Sequence, residues 1–146
     1  MKAHELMDQF LQLLESVKAG IFATTGTDGY PNVRWMTAAT LNREPDRLYS
    51  LTMAGTRKIA DLQAEDKISW TFQTPSLNQL AFLKGRASIL DNPRLKAEVT
   101  EALGPNLTNF WRLHPEAGKL LIIETRIEKI TLFNPMQNSR QEGVLE

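Results

Sequence analysis

Apolar side chains near the start of the chain recur at every third or fourth position. They are Leu6, Phe10, Leu13, Leu14 and Val17. This spacing places them on one face of a helix, so it predicts an amphipathic helix over residues 5–18, ended by Gly20. After Gly20 the period changes to two, which is typical of strands with one buried face.

The remaining periodic segments predict six strands and two further helices. The strands cover residues 21–25, 31–41, 47–53, 68–73, 79–90 and 119–133. Thr56 is the predicted cap of the second helix, and Asn92 opens a third helix that Gly104 ends. Gly85 lies inside a predicted strand, which indicates a bulge or a close backbone approach.

The order of these elements predicts the fold class. Consecutive strands with few helices between them favour an antiparallel sheet closed into a small barrel, mainly β with peripheral helices. A length of 146 residues is typical of one domain, here residues 1–146. Residues 134–146 are polar and form either an ordered edge of the sheet or a loose tail.

Charge and composition exclude several classes of protein. The 17 basic residues balance 17 acidic ones, so no basic field attracts nucleic acid or an anionic membrane. Without cysteine there are no disulfides, iron–sulfur clusters or thiolate nucleophiles, so redox chemistry would need a cofactor. No apolar stretch reaches about 18 residues and no signal peptide precedes the first helix, so we expect a cytoplasmic protein.

Motifs for catalysis and metal binding are missing from the sequence. It has no nucleophile elbow, no phosphate-binding loop and no dinucleotide fingerprint. Its two histidines, His4 and His114, are far apart and lack the spacing of metal ligands. We therefore expect no metal site.

Two cations, Arg57 and Lys58, occupy the first turn of the predicted second helix. The positive end of a helix dipole favours acidic groups by about 0.3–1 kcal/mol, so these cations do not serve the stability of the helix. A bound phosphate would explain them, because it accepts hydrogen bonds from free backbone N–H groups and from both side chains. The alternative is a solvated basic pair near Glu44 or Asp46.

A third cation, Arg34, lies in the middle of a predicted strand, on the same face as Met36 and Ala38. An arginine among apolar neighbours needs a partner. That partner is either a carboxylate at the edge of the core or a ligand anion. Because neighbouring strands of a meander lie side by side, Arg34 and the helix pair could hold one phosphorylated ligand.

Several segments together resemble a known family, the pyridoxamine phosphate oxidase-like FMN-binding split barrels, and within it the general stress protein branch. The segments are ATT at 23–25, DGYPNVRWM at 28–36, LTMAGTRK at 51–58, LKGRA at 83–87 and DNPRL at 91–95. The resemblance implies a six-stranded antiparallel split barrel. It also implies a homodimer with FMN at the subunit interface.

The resemblance further implies which residues contact FMN. Arg34, Arg57 and Lys58 would bind the phosphate, with a hydroxyl from Thr56. The other implied contacts come from Leu51, from Thr52 at the ribityl-phosphate end, from backbone groups of Trp35, Met36 and Thr37 along the ring edge, and from Gln79. Trp111 is either a pocket aromatic or an ordinary core tryptophan.

The sequence departs from the oxidases after Phe133. Those enzymes carry a Trp and an Arg-x-His element that hold the pyridoxal-type substrate, and residues 134–146 contain neither. We therefore expect an FMN-binding, stress-linked oxidoreductase of unknown substrate rather than a pyridoxine phosphate oxidase. The alternatives are a non-catalytic module that stores or senses the cofactor and a barrel without a ligand; related barrels bind deazaflavin or haem.

Overall fold

A computed structural model describes residues 2–104 and 119–145, and within these ranges the chain forms three helices and eight strands. The helices are α1 (Ala3–Val17), α2 (Arg57–Ala64) and α3 (Pro93–Leu103). The strands are β1 (Ala19–Thr25), β2 (Pro31–Thr37), β3 (Ala39–Leu41), β4 (Glu44–Met53), β5 (Lys67–Gln73), β6 (Leu80–Leu90), β7 (Leu120–Asn134) and β8 (Ser139–Val144).

All the strands belong to one curled antiparallel sheet. Its order is β2-β1-β5-β6-β7-β4-β3, and β8 pairs with β7 outside this order. The two ends of the order, β2 and β3, are separated in the chain only by Ala38. The Ser50 hydroxyl of β4 also donates to the Thr37 carbonyl of β2 at 2.8 Å. The ends of the sheet therefore meet, and the predicted split barrel with peripheral helices is confirmed.

The number of strands differs from the six that were predicted. Residues 31–41 divide at Ala38, because β2 pairs with β1 whereas β3 pairs with β4, and the chain bends between the two partners. The polar tail is an ordered edge, since Ser139–Val144 pairs with β7 from Lys129 to Asn134.

The predicted boundaries at Gly20 and at residue 47 also move. Lys18 ends α1 in the left-handed conformation with φ 66°, so Gly20 lies inside β1 instead of ending the helix. A Cβ on Gly20 would lie 2.7 Å from the Phe72 ring, and close packing explains the glycine there. β4 begins at Glu44 rather than at residue 47, because Glu44 pairs with Leu41 across a two-residue turn.

The core beneath α1 is built on aromatic side chains. Trp70 stacks on Phe72 at 5.2 Å between centroids and contacts Phe22 at 4.6 Å, and Phe10 of α1 meets the edge of Phe72 at 5.2 Å. The buried Trp70 indole donates to Thr125 Oγ1 at 3.1 Å, so its one polar atom is satisfied. This cluster packs β1 against β5, and β1 is the strand that pairs with β2.

The bulge predicted at Gly85 is present, since the β6–β7 register shifts between Lys84 and Gly85. A Cβ at Gly85 would lie 2.1 Å from the Arg126 carbonyl oxygen, and backbone cannot move aside as a side chain can.

We expect Gly85→Ala to lower the free energy of unfolding by about 3 kcal/mol in urea titrations. Ser88→Ala, at an exposed position of the same strand, should change it by less than about 0.5 kcal/mol. Equal stability of the two variants would contradict this packing.

Candidate functional site

The first turn of α2 has the composition of an anion site. Gly55, with φ 84°, lets the chain turn from β4 into the helix, whose cap is Thr56. The Thr56 side chain makes no capping hydrogen bond, and its hydroxyl lies 3.4 Å from that of Thr52. No acidic residue occupies the first turn, where Arg57 and Lys58 lie. The helix start therefore offers N–H groups, two hydroxyls and two cations.

Arg34 occupies the middle of β2, with its side chain directed across β1. Its Nη1 donates to Thr24 Oγ1 at 2.8 Å and to the Phe22 carbonyl at 3.3 Å, and the guanidinium lies 5.8 Å from the Phe22 ring centroid. The side chain keeps 22% exposure. Burial lowers the pKa of Arg34, Asp61 opposes that shift, and Arg57 adds to it. The Arg34 guanidinium is thus hydrogen-bonded through Nη1 and still partly accessible to solvent.

Asp61 is the residue that sequence reasoning missed. It lies on α2 with 1% side-chain exposure, and its Oδ2 is 3.8 Å from Arg34 Nη2. Thr24 Oγ1 and Asn32 Nδ2 both donate to Oδ2 at 2.9 Å. Oδ1 is buried and has no hydrogen-bond partner among the described residues. The sequence predicted either a carboxylate at the edge of the core or a ligand anion as the partner of Arg34, and Asp61 is such a carboxylate.

The hydrogen bonds to Asp61, from Asn32 first and also from Thr24, hold its pKa below the usual range, while burial acts in the opposite direction. Arg57 and Arg34 lower this pKa further. The ionised carboxylate therefore stabilises the fold above the ordinary pKa of an aspartate. That contribution is lost as the pH falls through the lowered value.

The remaining two cations differ in their surroundings. Arg57 is 62% exposed, and its Nη2 lies 3.1 Å from Asp28 Oδ2. The acidic partner of Arg57 is therefore Asp28, and not Glu44 or Asp46 as the alternative to a phosphate site predicted. Lys58 is half-buried and has no carboxylate at ion-pair distance among residues 2–104 and 119–145. Burial and then Arg34 lower the pKa of Lys58. Because Arg34 lies 3.8 Å from Asp61, which is on the same helix as Arg57 and Lys58, we group Arg34, Arg57 and Lys58 as one cation cluster.

The other residues predicted to contact FMN differ in where they lie relative to the cation cluster. Thr52 and Thr56 adjoin it, whereas the Leu51 side chain is buried in a second apolar cluster with Tyr49 and Ile122. Trp35 is 63% exposed on the outer face of β2, and Met36 packs against the main core. Thr37 accepts the Ser50 hydrogen bond through its carbonyl. The assignment of these residues to FMN stays a prediction.

Gln79 lies apart from the cation cluster within one chain. It lines a groove of about 490 Å³ between α1, the start of β6, β7 and β8, with polar neighbours that include Gln12 and Ser139. No member of the cation cluster lines this groove. Trp111 and His114 fall outside the described residues, so their assignments stay predictions.

The described ranges contain neither a candidate metal site nor a helix that could span a membrane. There, no group of three or more His, Asp or Glu side chains is arranged to hold a metal ion. No described helix combines the length and the apolar character that a membrane span requires.

The family model for pyridoxamine 5'-phosphate oxidase matches residues 6–134. The chain belongs to this family. The resemblance inferred from the sequence is confirmed, and the whole cation cluster lies inside the matched range. No curated protein matches the chain.

Solved structures agree with the family at the level of fold. A Clostridium acetobutylicum protein related to general stress protein 26 of B. subtilis has a TM-score of 0.77 at 18% identity, covering 97% of this chain and 95% of its own. General stress protein 26 from Bacillus anthracis scores 0.72 at 19% identity, with 94% and 98% coverage. A heme binding protein from Mycobacterium smegmatis scores 0.74 at 14% identity, with 95% and 57% coverage.

Proposed function

We propose that this chain binds FMN and that its cation cluster and the start of α2 hold the phosphate. The observation that carries the proposal is Lys58, a half-buried cation without a carboxylate partner among the described residues, beside Arg34 and a helix N-terminus. A half-buried ammonium without a counter-charge favours an anionic ligand. The Thr56 hydroxyl makes no capping hydrogen bond and lies 3.4 Å from the Thr52 hydroxyl, so it can donate to a phosphate oxygen of the same ligand.

The family supports a flavin as the phosphorylated ligand. FMN carries one phosphate, and the split barrels that this chain resembles place that phosphate on the Thr-Arg-Lys element, here Thr56, Arg57 and Lys58. When bound, FMN supplies the electron-carrying chemistry that a chain without cysteine lacks. Arg34, Lys58 and Thr56 would bind and orient the phosphate, and the ring would lie toward β2.

We further infer a homodimer that completes the flavin site. Val33 and Trp35 are 66% and 63% exposed on one face of the edge strand β2, and Tyr30, just before it, is 71% exposed, so large apolar side chains are open to a partner there. Gln79 lies in a groove away from the cation cluster, so a contact between Gln79 and the ring would come from the second chain. A symmetric dimer would satisfy both observations.

The dimer is tested by sedimentation of the wild type and of Trp35→Glu. We expect the wild type to sediment as a dimer and Trp35→Glu to shift toward the monomer, because a carboxylate in an apolar interface is costly. Met136→Glu is the matched control, since Met136 is 83% exposed in the β7–β8 turn and should leave the dimer intact. A monomeric wild type that binds FMN would contradict the shared site.

The proposed activity is that of a flavin-dependent oxidoreductase linked to stress, acting in the cytoplasm. Its test is the visible spectrum of the purified protein, followed by anaerobic addition of NADH or NADPH and then an electron acceptor. Bleaching of the flavin band and its return with the acceptor would support the oxidoreductase. A bound flavin that neither nucleotide reduces would favour a storage or sensing module. The expectation that pyridoxine phosphate is not a substrate stays a prediction.

A further inference from the structure

The buried carboxylate of Asp61 is unexpected in a site built for an anion. It is 1% exposed, accepts hydrogen bonds from Thr24 and Asn32, and lies 3.8 Å from the Arg34 guanidinium. A negative charge at this position repels any phosphate that approaches Arg34. Anchoring Arg34 alone does not require a carboxylate, because Thr24 and the Phe22 carbonyl already accept from Arg34 Nη1.

The charge of the cation cluster explains what this carboxylate does. Burial is the main reason why the pKa values of Arg34 and Lys58 are lowered, and like charge adds to both shifts, from Arg57 on Arg34 and from Arg34 on Lys58. These cations therefore repel one another. The only other acid on the cluster among the described residues is Asp28, whose pair with Arg57 is 50% exposed on the acid side and therefore screened by water and salt. Without a ligand, Asp61 is the buried charge that offsets this mutual repulsion.

We propose that Asp61 is an internal counter-ion that stabilises the cation cluster when no ligand is bound and lowers its affinity for phosphate. The inference rests on the proposed function. The effect of Asp61 on phosphate affinity and its effect on stability are linked by a thermodynamic cycle. If removing the Asp61 charge strengthens phosphate binding by a given free energy, bound phosphate must stabilise the variant more than the wild type by the same amount. Asp61 therefore lowers the preference of the site for a phosphorylated ligand over the same ligand without its phosphate.

Asp61→Asn separates the charge of this residue from its hydrogen bonds. The amide oxygen of asparagine can accept from Thr24 and Asn32 as Oδ2 does, and its NH₂ takes the place of Oδ1, which has no partner among the described residues. The variant therefore keeps the shape of the site and loses one negative charge. Asp66→Asn is the control, because it removes the same charge from a pair with Arg86, outside the cation cluster.

The experiment measures dissociation constants for FMN and for riboflavin at low salt in the full-length wild type and both variants. We expect Asp61→Asn to bind FMN about tenfold more tightly, with riboflavin affinity unchanged, since a charge in contact range shifts an equilibrium by a factor of ten or more. Asp66→Asn should change neither constant by more than about twofold. We also expect inorganic phosphate to raise the melting temperature of Asp61→Asn more than that of the wild type.

The outcomes distinguish this inference from the proposed function. If the wild type does not prefer FMN to riboflavin, the proposed function fails. If it does, and Asp61→Asn binds FMN equally or more weakly, the counter-ion role is overturned while the proposed function stands. Asp61→Asn could fail to fold in chloride buffer because the cation cluster has lost its counter-ion. In that case phosphate buffer of the same ionic strength should replace the lost charge and restore folding. A variant unfolded in both buffers overturns the inference.

Discussion

Replacing Lys58 by alanine is expected to weaken FMN binding by roughly 10- to 150-fold, the equivalent of about 1.5–3 kcal/mol for a charge-assisted hydrogen bond. The loss should be large because Lys58 is half-buried and has no carboxylate at ion-pair distance in the described part of the chain, so no ion pair of Lys58 within it has to break when phosphate binds. Isothermal titration with FMN and with riboflavin measures the effect. Riboflavin affinity should remain within about twofold, because riboflavin lacks the phosphate.

Two further variants show whether this loss is local. Lys129→Ala removes the same charge from β7, where the lysine lies 3.5 Å from Glu142, and it should leave FMN affinity nearly unchanged. Arg34→Ala should weaken FMN binding and also lower stability, because it leaves the buried Asp61 without its nearest guanidinium. An equal and small effect of Lys58→Ala and Lys129→Ala on FMN would refute the phosphate site.

Replacing Trp70 by alanine is expected to lower the free energy of unfolding by about 3–5 kcal/mol. Trp70 is 1% exposed, packs on two phenylalanine rings, and leaves the buried Thr125 hydroxyl without its donor when removed. The loss should reach the candidate site, since Phe22 lies between Trp70 and Arg34. FMN affinity should therefore fall several-fold under conditions in which the variant is folded.

Chemical denaturation monitored by circular dichroism measures the effect of Trp70→Ala. Met136→Ala is its control, since Met136 is 83% exposed and should cost less than about 0.5 kcal/mol. A loss below about 1 kcal/mol for Trp70→Ala would mean that the aromatic cluster does not hold the barrel together.

Much of the fold could be predicted because most elements have one buried face. The alternation of Ile68, Trp70 and Phe72 with polar residues marks β5, and those three side chains are buried. The break at Ala38 has no such local signal, because neither glycine nor proline marks it. It depends on the different partners of β2 and β3, which are set by the whole sheet. β8 has no such signal either, because its half-buried positions hold Ser139, Gln141 and Gly143 and so form no apolar face.

The candidate site could be predicted only in part, for a similar reason. Arg57 and Lys58 stand out because they occupy the wrong end of a helix dipole, a local property. Asp61 follows Arg57 by four positions, which suggests a pair along the helix, yet its hydrogen bonds come from Thr24 and Asn32, 37 and 29 residues away in the chain. Contacts between elements of this kind depend on the packing of α2 against β1 and β2.

The preference of the wild-type protein for FMN over riboflavin tests the central claim most directly. Both ligands carry the same ring and ribityl chain, so the ratio of their dissociation constants isolates the phosphate. Measured by titration at low and at high salt, the ratio should favour FMN by at least about 30-fold at low salt and fall as salt screens the cation cluster. Equal affinity for the two ligands at both salt concentrations would contradict the account.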